Sequence, residues 1–200
     1  MVIEKKQKHP ASYKLSVVIA TYNRGASLLS LLNNLSAQTM PPEQFEVAVV
    51  DDGSKTPIAE ILGERQWPYK LTILSQQNAG PATARHLGIQ NTTAPIIIIV
   101  DDDMTVGPDF LTQHLTAHRP DVDVVLGRIS QAPEFSTMPL HNRYQQHQLN
   151  RRTEELATME NIEGGNLYTG NVSFRRELYE RVGGFNCAMR QNEDRELGLR

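Results

Sequence analysis

Residues 96–100 read I-I-I-I-V, and the run breaks into three consecutive carboxylates, Asp101, Asp102 and Asp103. No other stretch restricts the fold of this chain as much. An apolar run without alternation has no face to give to water, so as a strand it must be covered on both sides, as in the middle of a parallel sheet. The aspartates then sit at the carboxyl end of a central strand, the edge at which open α/β sheets bind ligands. Adjacent anions repel one another unless positive charge lies among them, and hard divalent cations select carboxylate oxygen. The competing reading is a solvated acidic turn ahead of a helix that starts near Pro108, and on this stretch alone both stand.

The rest of the chain supplies the sheet. Leu15–Thr21 and Phe45–Val50 are apolar and β-branched, and each reads as a buried strand. The second ends in Asp51-Asp52-Gly53-Ser54, so carboxylates again follow a strand. Leu71–Leu74 reads as a shorter strand, Val122–Ile129 as a further one, and Tyr168–Arg175 as a last one. Between them, Ala26–Gln38, with leucines at 28, 29, 31, 32 and 35, has a helical apolar face. Pro57–Leu62, Ala82–Gln90, Asp109–His118 and Arg176–Val182 are the other helices of the alternation. The expectation is an α/β fold whose mainly parallel central sheet is flanked by helices on both faces. Ser130–Gly165 is polar and reads as a surface helix followed by a mobile loop closed by Gly164-Gly165. Glu193-Asp194 opens a final helical stretch that reaches Arg200 with no capping signal, in which Leu197 and Leu199 need a covering surface.

Composition removes several classes. A net charge of −3 gives no electrostatic footprint for nucleic acid. The single cysteine, Cys187, excludes an internal disulfide and fits a reducing compartment. No apolar run approaches a membrane span, and residues 1–14 lack the apolar core of a signal peptide. That lead-in carries Lys5, Lys6 and Lys8; a flexible solvated tail is favoured over a weak contact with anionic lipid. The expected location is cytoplasmic, with peripheral association at the inner face of the membrane as the variant.

Three acidic clusters therefore fall at element boundaries: Asp51-Asp52, Asp101–Asp103 and Glu193-Asp194. The first two share an edge if their strands are parallel. So much negative charge fits a divalent cation whose shell is completed by substrate phosphates. Asn78-Ala79-Gly80-Pro81 leads into a helix with Arg85 near its start, a glycine turn, helix N-terminus and arginine suited to phosphate. Neither G-x-x-x-x-G-K-[ST] nor a G-x-G-x-x-G after the first strand is present, which excludes the usual P-loop and dinucleotide cradles.

The segments S-V-V-I-A-T-Y-N-R, V-V-D-D-G-S, N-A-G-P-A-T-A-R, the D-D-D triplet, T-G-N-V-S-F-R-R-E with V-G-G-F, and E-D-R-E-L-G-L-R come in one order along residues 15–200. In that order they resemble the inverting glycosyltransferases of family 2, which have the GT-A fold. The resemblance implies a nucleotide-binding half over 15–129 and an acceptor-side half over 130–200. It implies a nucleotide-sugar donor, usually a UDP-sugar, a saccharide or lipid-linked acceptor, and Mn²⁺ or Mg²⁺. By it, Ala20, Thr21 and Tyr22 line the nucleoside pocket, Asp52 bonds the base and Arg85 lies near ribose or phosphates. Asp101 and Asp103 form the D-x-D pair, with Asp103 the direct metal ligand, Asp101 on ribose or metal-bound water, and Asp102 beside them in the donor site. Asp194 is the general base, and Gly170, Asn171 and Glu193 shape the acceptor side. His86 departs from the asparagine the family commonly has there, and many relatives place a histidine or basic residue well after the base. The resemblance thus implies that the domain is truncated at its C-terminus, with a further C-terminal domain to complete it.

Plainer roles compete at each position. Asp51 or Asp52 could cap a helix, and Glu193 and Asp194 could be first-turn residues favoured by the helix dipole. His114 and His118, spaced i,i+4 without an H-E-x-x-H glutamate, read as a solvated face. Tyr168 and Phe174 read as core rather than a sugar platform, and Cys187 as inert. Two other functions stay open at this point. One is a nucleotidyltransferase, against which the absence of lysine in Thr21–Ser27 speaks. The other is a non-catalytic nucleotide-sugar-binding domain.

Overall fold

The computed structural model describes residues 13–130, 135–159 and 162–200. The basic lead-in with Lys5, Lys6 and Lys8, and parts of the segment 130–165, lie outside the described residues. The chain builds β1 (Leu15–Thr21), α1 (Gly25–Ser36), β2 (Phe45–Asp51), α2 (Ile58–Leu62), β3 (Lys70–Ser75), α3 (Pro81–Gln90) and β4 (Ile96–Val100). It continues with α4 (Phe110–Ala117), β5 (Val124–Leu126), α5 (Leu140–Leu156), β6 (Asn171–Arg175), α6 (Arg176–Arg181) and α7 (Glu193–Leu199). The strands form one sheet in the order β3-β2-β1-β4-β6-β5.

The isoleucine run is buried on both faces, as its lack of alternation requires. Ile96, Ile98 and Val100 pack with Leu28, Leu31, Leu32 and Leu35 of α1, Ile58 of α2 and Leu111 of α4. Ile97 and Ile99 face the other way, onto Ala82 and Ile89 of α3, Tyr179 of α6 and Leu197 of α7. β1 to β4 are mutually parallel, whereas β6 runs antiparallel to both β4 and β5. The sheet is thus mainly parallel, as expected, and β6 is the strand that runs against the rest, a direction that apolar patterning does not carry. β6 also begins at Asn171 rather than Tyr168. The Gly170 carbonyl instead accepts the amide of Asp101, closing the ladder at its working end.

The amino edge of the sheet is locked by a buried charge. Glu46, 1% exposed, accepts from Ser16 Oγ at 3.0 Å, from the Thr93 amide at 2.6 Å and from Lys70 Nζ at 2.9 Å. Burial pushes this carboxyl upward, but Lys70, Thr93 and Ser16 outweigh it and hold it below its ordinary value. Glu46→Ala orphans the buried Ser16 hydroxyl and takes the acceptor from the Thr93 amide, and is expected to reduce unfolding free energy by about 3 kcal/mol. Urea denaturation checks this; nucleotide affinity should not change, because Glu46 lies at the edge opposite the acidic clusters.

His114 and His118 are a correction to the solvated face. The His114 ring is buried, with Nε2 2.9 Å from Asn171 Oδ1 and Nδ1 2.7 Å from Ser173 Oγ. His118 Nε2 reaches the same hydroxyl at 2.8 Å. Because Asn171 Nδ2 donates to the Arg128 carbonyl, its oxygen faces His114, which must carry its proton on Nε2 and accept at Nδ1. Burial lowers the His114 pKa to about 4, and the His118 pKa also falls, again mainly through burial. The His114 ring is therefore held neutral. Its contribution to stability is complete above the unfolded histidine value near 6.5 and is lost as pH falls toward 4. The chain is expected to lose about 3 kcal/mol of stability over that window. Thermal melts from pH 7.5 downward check this, and a flat profile that matches that of His114→Gln would exclude the coupling.

The final stretch is covered by the chain itself. Leu197 is buried while Leu199 remains 69% exposed, so only the first leucine meets the expectation that both need cover. The Arg200 guanidinium donates to the carbonyls of Val182 and Gly184 at 2.6 Å each. α7 lies so close to the 164–166 turn that a Cβ on Gly164 would come within 1.8 Å of the Gly198 carbonyl oxygen. Both positions require glycine.

Candidate active site

Strand order reverses between β1 and β4, which opens a crevice outside their carboxyl ends. Thr21, Asp51 and Asp101 all stand at this edge. So does Gly170, because the antiparallel β6 starts where β4 stops. A Cβ on Gly170 would meet Asp101 Oδ2 at 3.1 Å, so the absent side chain leaves that carboxylate its place.

The three aspartates after β4 divide by environment. Asp102 is buried and accepts from Thr21 Oγ1 at 2.6 Å across the crevice and from Arg24 Nη1 at 3.1 Å. Burial raises its pKa, and Thr21 and Arg24 offset only part of that. Asp101 and Asp103 keep 43% and 54% of their side chains exposed, each with one oxygen on one arginine. Arg24 joins Asp102 to Asp103 at 2.9 Å from the latter. It is a site residue that the sequence reading passed over, although it is the first cation after β1 in a chain crowded with acids there.

Asp51 and Asp52 are both structural anchors. Asp51 accepts the amides of Ser54 and of Ile58, the first residue of α2, so here the capping role is real. Asp52, also buried, accepts from the Ala79 amide at 2.8 Å, the Gly80 amide at 3.0 Å and Gln76 Nε2 at 2.7 Å. Its carboxylate fixes the loop that opens α3, and about one of its four acceptor positions is left for a ligand. Ala20 is partly exposed at the end of β1, and Tyr22 is 47% exposed beside it.

Arg85 does not point at open solvent where a phosphate would lie. It is buried, with Nη2 2.9 Å from Asp101 Oδ1 and Nη1 2.8 Å from Glu193 Oε1. Glu193 is correspondingly buried, not an open acceptor-side group. Asp194 follows it on the first turn of α7, half-buried, and its Oδ1 accepts the Arg195 amide. The side chain of Asn171 is turned inward to His114 and the Arg128 carbonyl, so only its backbone faces the crevice edge. His86 also lies apart from the acids, packing α3 on α6 through its 2.6 Å contact with the Tyr179 hydroxyl. Tyr168 is half-buried and donates to the Gly127 carbonyl, while Phe174 is core and Cys187 exposed.

No group of three or more histidine, cysteine, aspartate or glutamate side chains suited to enclose a metal occurs among the described residues. The open carboxylates of Asp101 and Asp103 nevertheless present the hard oxygens with which Mg²⁺-type ions are held by one or two carboxylates plus substrate phosphates. The donor set fits an ion that arrives with a diphosphate, not a closed cage. No described helix is long and apolar enough to cross a membrane.

The sequence profile for glycosyl transferase family 2 matches residues 16–183. The validoxylamine A glucosyltransferase of Streptomyces hygroscopicus subsp. limoneus is 37% identical over 117 residues, 56% of this chain and 26% of that protein. The glycosyltransferase AglE of Haloferax volcanii is 29% identical over 175 residues, 86% of this chain and 55% of its own length. These and other curated relatives are matched over between 15% and 61% of their own length. Two solved structures share the fold with a TM-score of 0.68 at 22% identity. One is the mannosyltransferase PcManGT from Pyrobaculum calidifontis in complex with GDP-Man and Mn²⁺, matched over 93% of this chain and 51% of that one. The other is S. aureus TarS 1–349 in complex with UDP-GlcNAc, matched over 92% of this chain and 52% of that one.

Proposed function

The chain belongs to glycosyl transferase family 2, and from that premise we propose that it transfers a sugar from a nucleotide-sugar donor, UDP-linked by preference, to an acceptor hydroxyl with inversion. The observation that carries this reading is the pair of open carboxylates, Asp101 and Asp103, at the mouth of the β1–β4 crevice. Ala20, Thr21 and Tyr22 line the nucleoside side, and the remaining acceptor position of Asp52 takes an N–H of the base. Asp103 and Asp101 are the residues that would hold Mn²⁺ or Mg²⁺ on the diphosphate side. When bound, that cation neutralises charge on the departing diphosphate, an effect worth several kcal/mol.

Asp194 performs the proton chemistry. Its carboxylate takes the proton of the acceptor hydroxyl as that oxygen attacks the anomeric carbon. The bond from that carbon to the phosphate oxygen breaks, and the nucleoside diphosphate leaves with the electron pair. Attack from the face opposite the leaving group inverts the centre. Residues 15–129 form the donor half and 130–200 the acceptor half, the acceptor being a saccharide or a lipid-linked one. Work at the cytoplasmic face of a membrane accords with a nucleotide-sugar donor.

The test is a panel of UDP- and GDP-sugars with and without Mn²⁺. Thermal shift reports binding, because a ligand of the native state alone raises stability by RT ln(1 + [L]/Kd), and nucleotide release reports turnover. Metal-dependent release of nucleotide supports the transferase. Binding without release in the presence of candidate acceptors favours a non-catalytic binding domain.

A further inference from the structure

Among the described residues, the Arg85 guanidinium bridges the two acidic groups that the proposed reaction assigns to opposite partners: the donor-side Asp101 and the Glu193-Asp194 turn. The element on which Asp194 rides has little rigidity of its own. α7 has seven residues, far fewer than an isolated helix needs to persist in water. Its N-cap, Asn192, sits at φ +58 and makes no side-chain capping bond. Toward its C-terminal end α7 is fixed by the buried Leu197 and the Gly198–Gly164 approach. At its N-terminal turn the Glu193 carboxylate anchors it to Arg85 at 2.8 Å.

Arg85 stands on a well-fixed platform. Asp52 holds the amides that lead into α3. At the far end of the helix, Arg176 donates to the Ile89 carbonyl at 3.1 Å and to Thr92 Oγ1 at 3.0 Å. Asp101 in turn continues directly from β4, in the middle of the sheet. The planar fork of one guanidinium spans two carboxylates, which a lysine ammonium on a flexible stem does not reproduce.

We propose that Arg85 is a positioning residue, and that the Asp101–Arg85–Glu193 bridge sets the base-bearing turn of α7 relative to the donor carboxylate before any ligand binds. The bridge rests on the transferase reading for its purpose and on the geometry alone for its existence. It assigns Arg85 and Glu193 a role in transfer rate and none in donor affinity. A misplacement of about 1 Å at a reacting group lowers rates by about a hundredfold, so a strut of this kind matters to turnover.

Glu193→Gln keeps the shape of the side chain and removes its charge. In the 200-residue chain without ligand, amide exchange over residues 194–199 is expected to accelerate about tenfold, with residues 86–90 of α3 unchanged. The Kd of UDP in Mn²⁺, by calorimetry, should stay within about twofold, while UDP release from UDP-GlcNAc or UDP-glucose, to water or a trial acceptor, falls by about tenfold or more. Unchanged exchange overturns the proposal, as does a loss of UDP affinity equal to the loss of rate, which would make the bridge part of donor binding. If Glu193→Gln does not fold, Arg85→Lys is read by amide exchange over residues 194–199 alone, because Arg85 also bonds the donor-side Asp101. Failure of the wild-type chain to bind any UDP- or GDP-sugar defeats the transferase reading, while the exchange measurement still decides the bridge.

Discussion

Asp194→Asn is expected to lower the rate of sugar transfer by about two to four orders of magnitude while nucleotide affinity stays within about twofold. Asparagine preserves the volume and the acceptor oxygen facing the Arg195 amide, but it has no basic site for the proton of the acceptor hydroxyl. The site geometry makes this variant informative: Asp194 bonds the Arg195 amide, while Arg85 pairs with Asp101 and Glu193 and Arg24 with Asp103, so its charge can be removed without unpairing them. Single-turnover release of UDP, measured beside calorimetric UDP binding, separates the two effects. Transfer at the wild-type rate would remove Asp194 from the mechanism.

The second large effect falls on metal-dependent nucleotide binding. Asp103→Ala is expected to weaken UDP affinity in Mn²⁺ by about tenfold or more, the lower bound being what loss of even an outer-shell partner takes from a metal site. In EDTA the variant and the wild type should bind UDP equally. The neighbouring Asp102 gives the contrast. It is buried and already holds Thr21 and Arg24, so Asp102→Ala should destabilise the fold by about 2 kcal/mol, through the buried Thr21 hydroxyl it leaves without its partner. Equal UDP affinity for Asp103→Ala and wild type in Mn²⁺ would remove Asp103 from the metal's shell.

What the sequence disclosed follows from what physical patterning encodes. β4 was readable because a strand without a polar face has one kind of home, and β1 and β2 because β-branched runs end abruptly in turn chemistry. The direction of β6 was not readable, since the same alternation serves either orientation. Tyr168-Thr169-Gly170 looked like strand by residue type, yet Gly170 is a crossing point pressed against Asp101. The histidines of α4 misled because a polar pair at helical spacing ordinarily faces water. The available clue lay in β6, where Asn171 and Ser173 alternate onto one face and need buried partners. The acidic clusters and Arg85 were visible, but the pairing was not: charge spacing along a chain does not say which cation closes which pair. Arg24, and the carboxylates that Arg85 holds, emerged only when the folded chain brought Asp102 beside the first and Glu193 beside the second, 78 and 108 positions away.

The reversal of β6 has a consequence for how such a protein can diversify. Because β5 ends and β6 begins at the same edge of the sheet, the stretch 127–170 leaves from and returns to the mouth of the crevice. Its two ends are stitched together, the Gly127 amide on the Asn171 carbonyl at 2.9 Å and Asn171 Nδ2 on the Arg128 carbonyl at 3.2 Å. A segment closed at its base behaves as a graftable cassette, since doubling the length of a closed loop adds only about 0.6 kcal/mol of closure entropy. Exchanging it between homologues would swap the surface offered beside the donor pocket and leave the register of all six strands as it is.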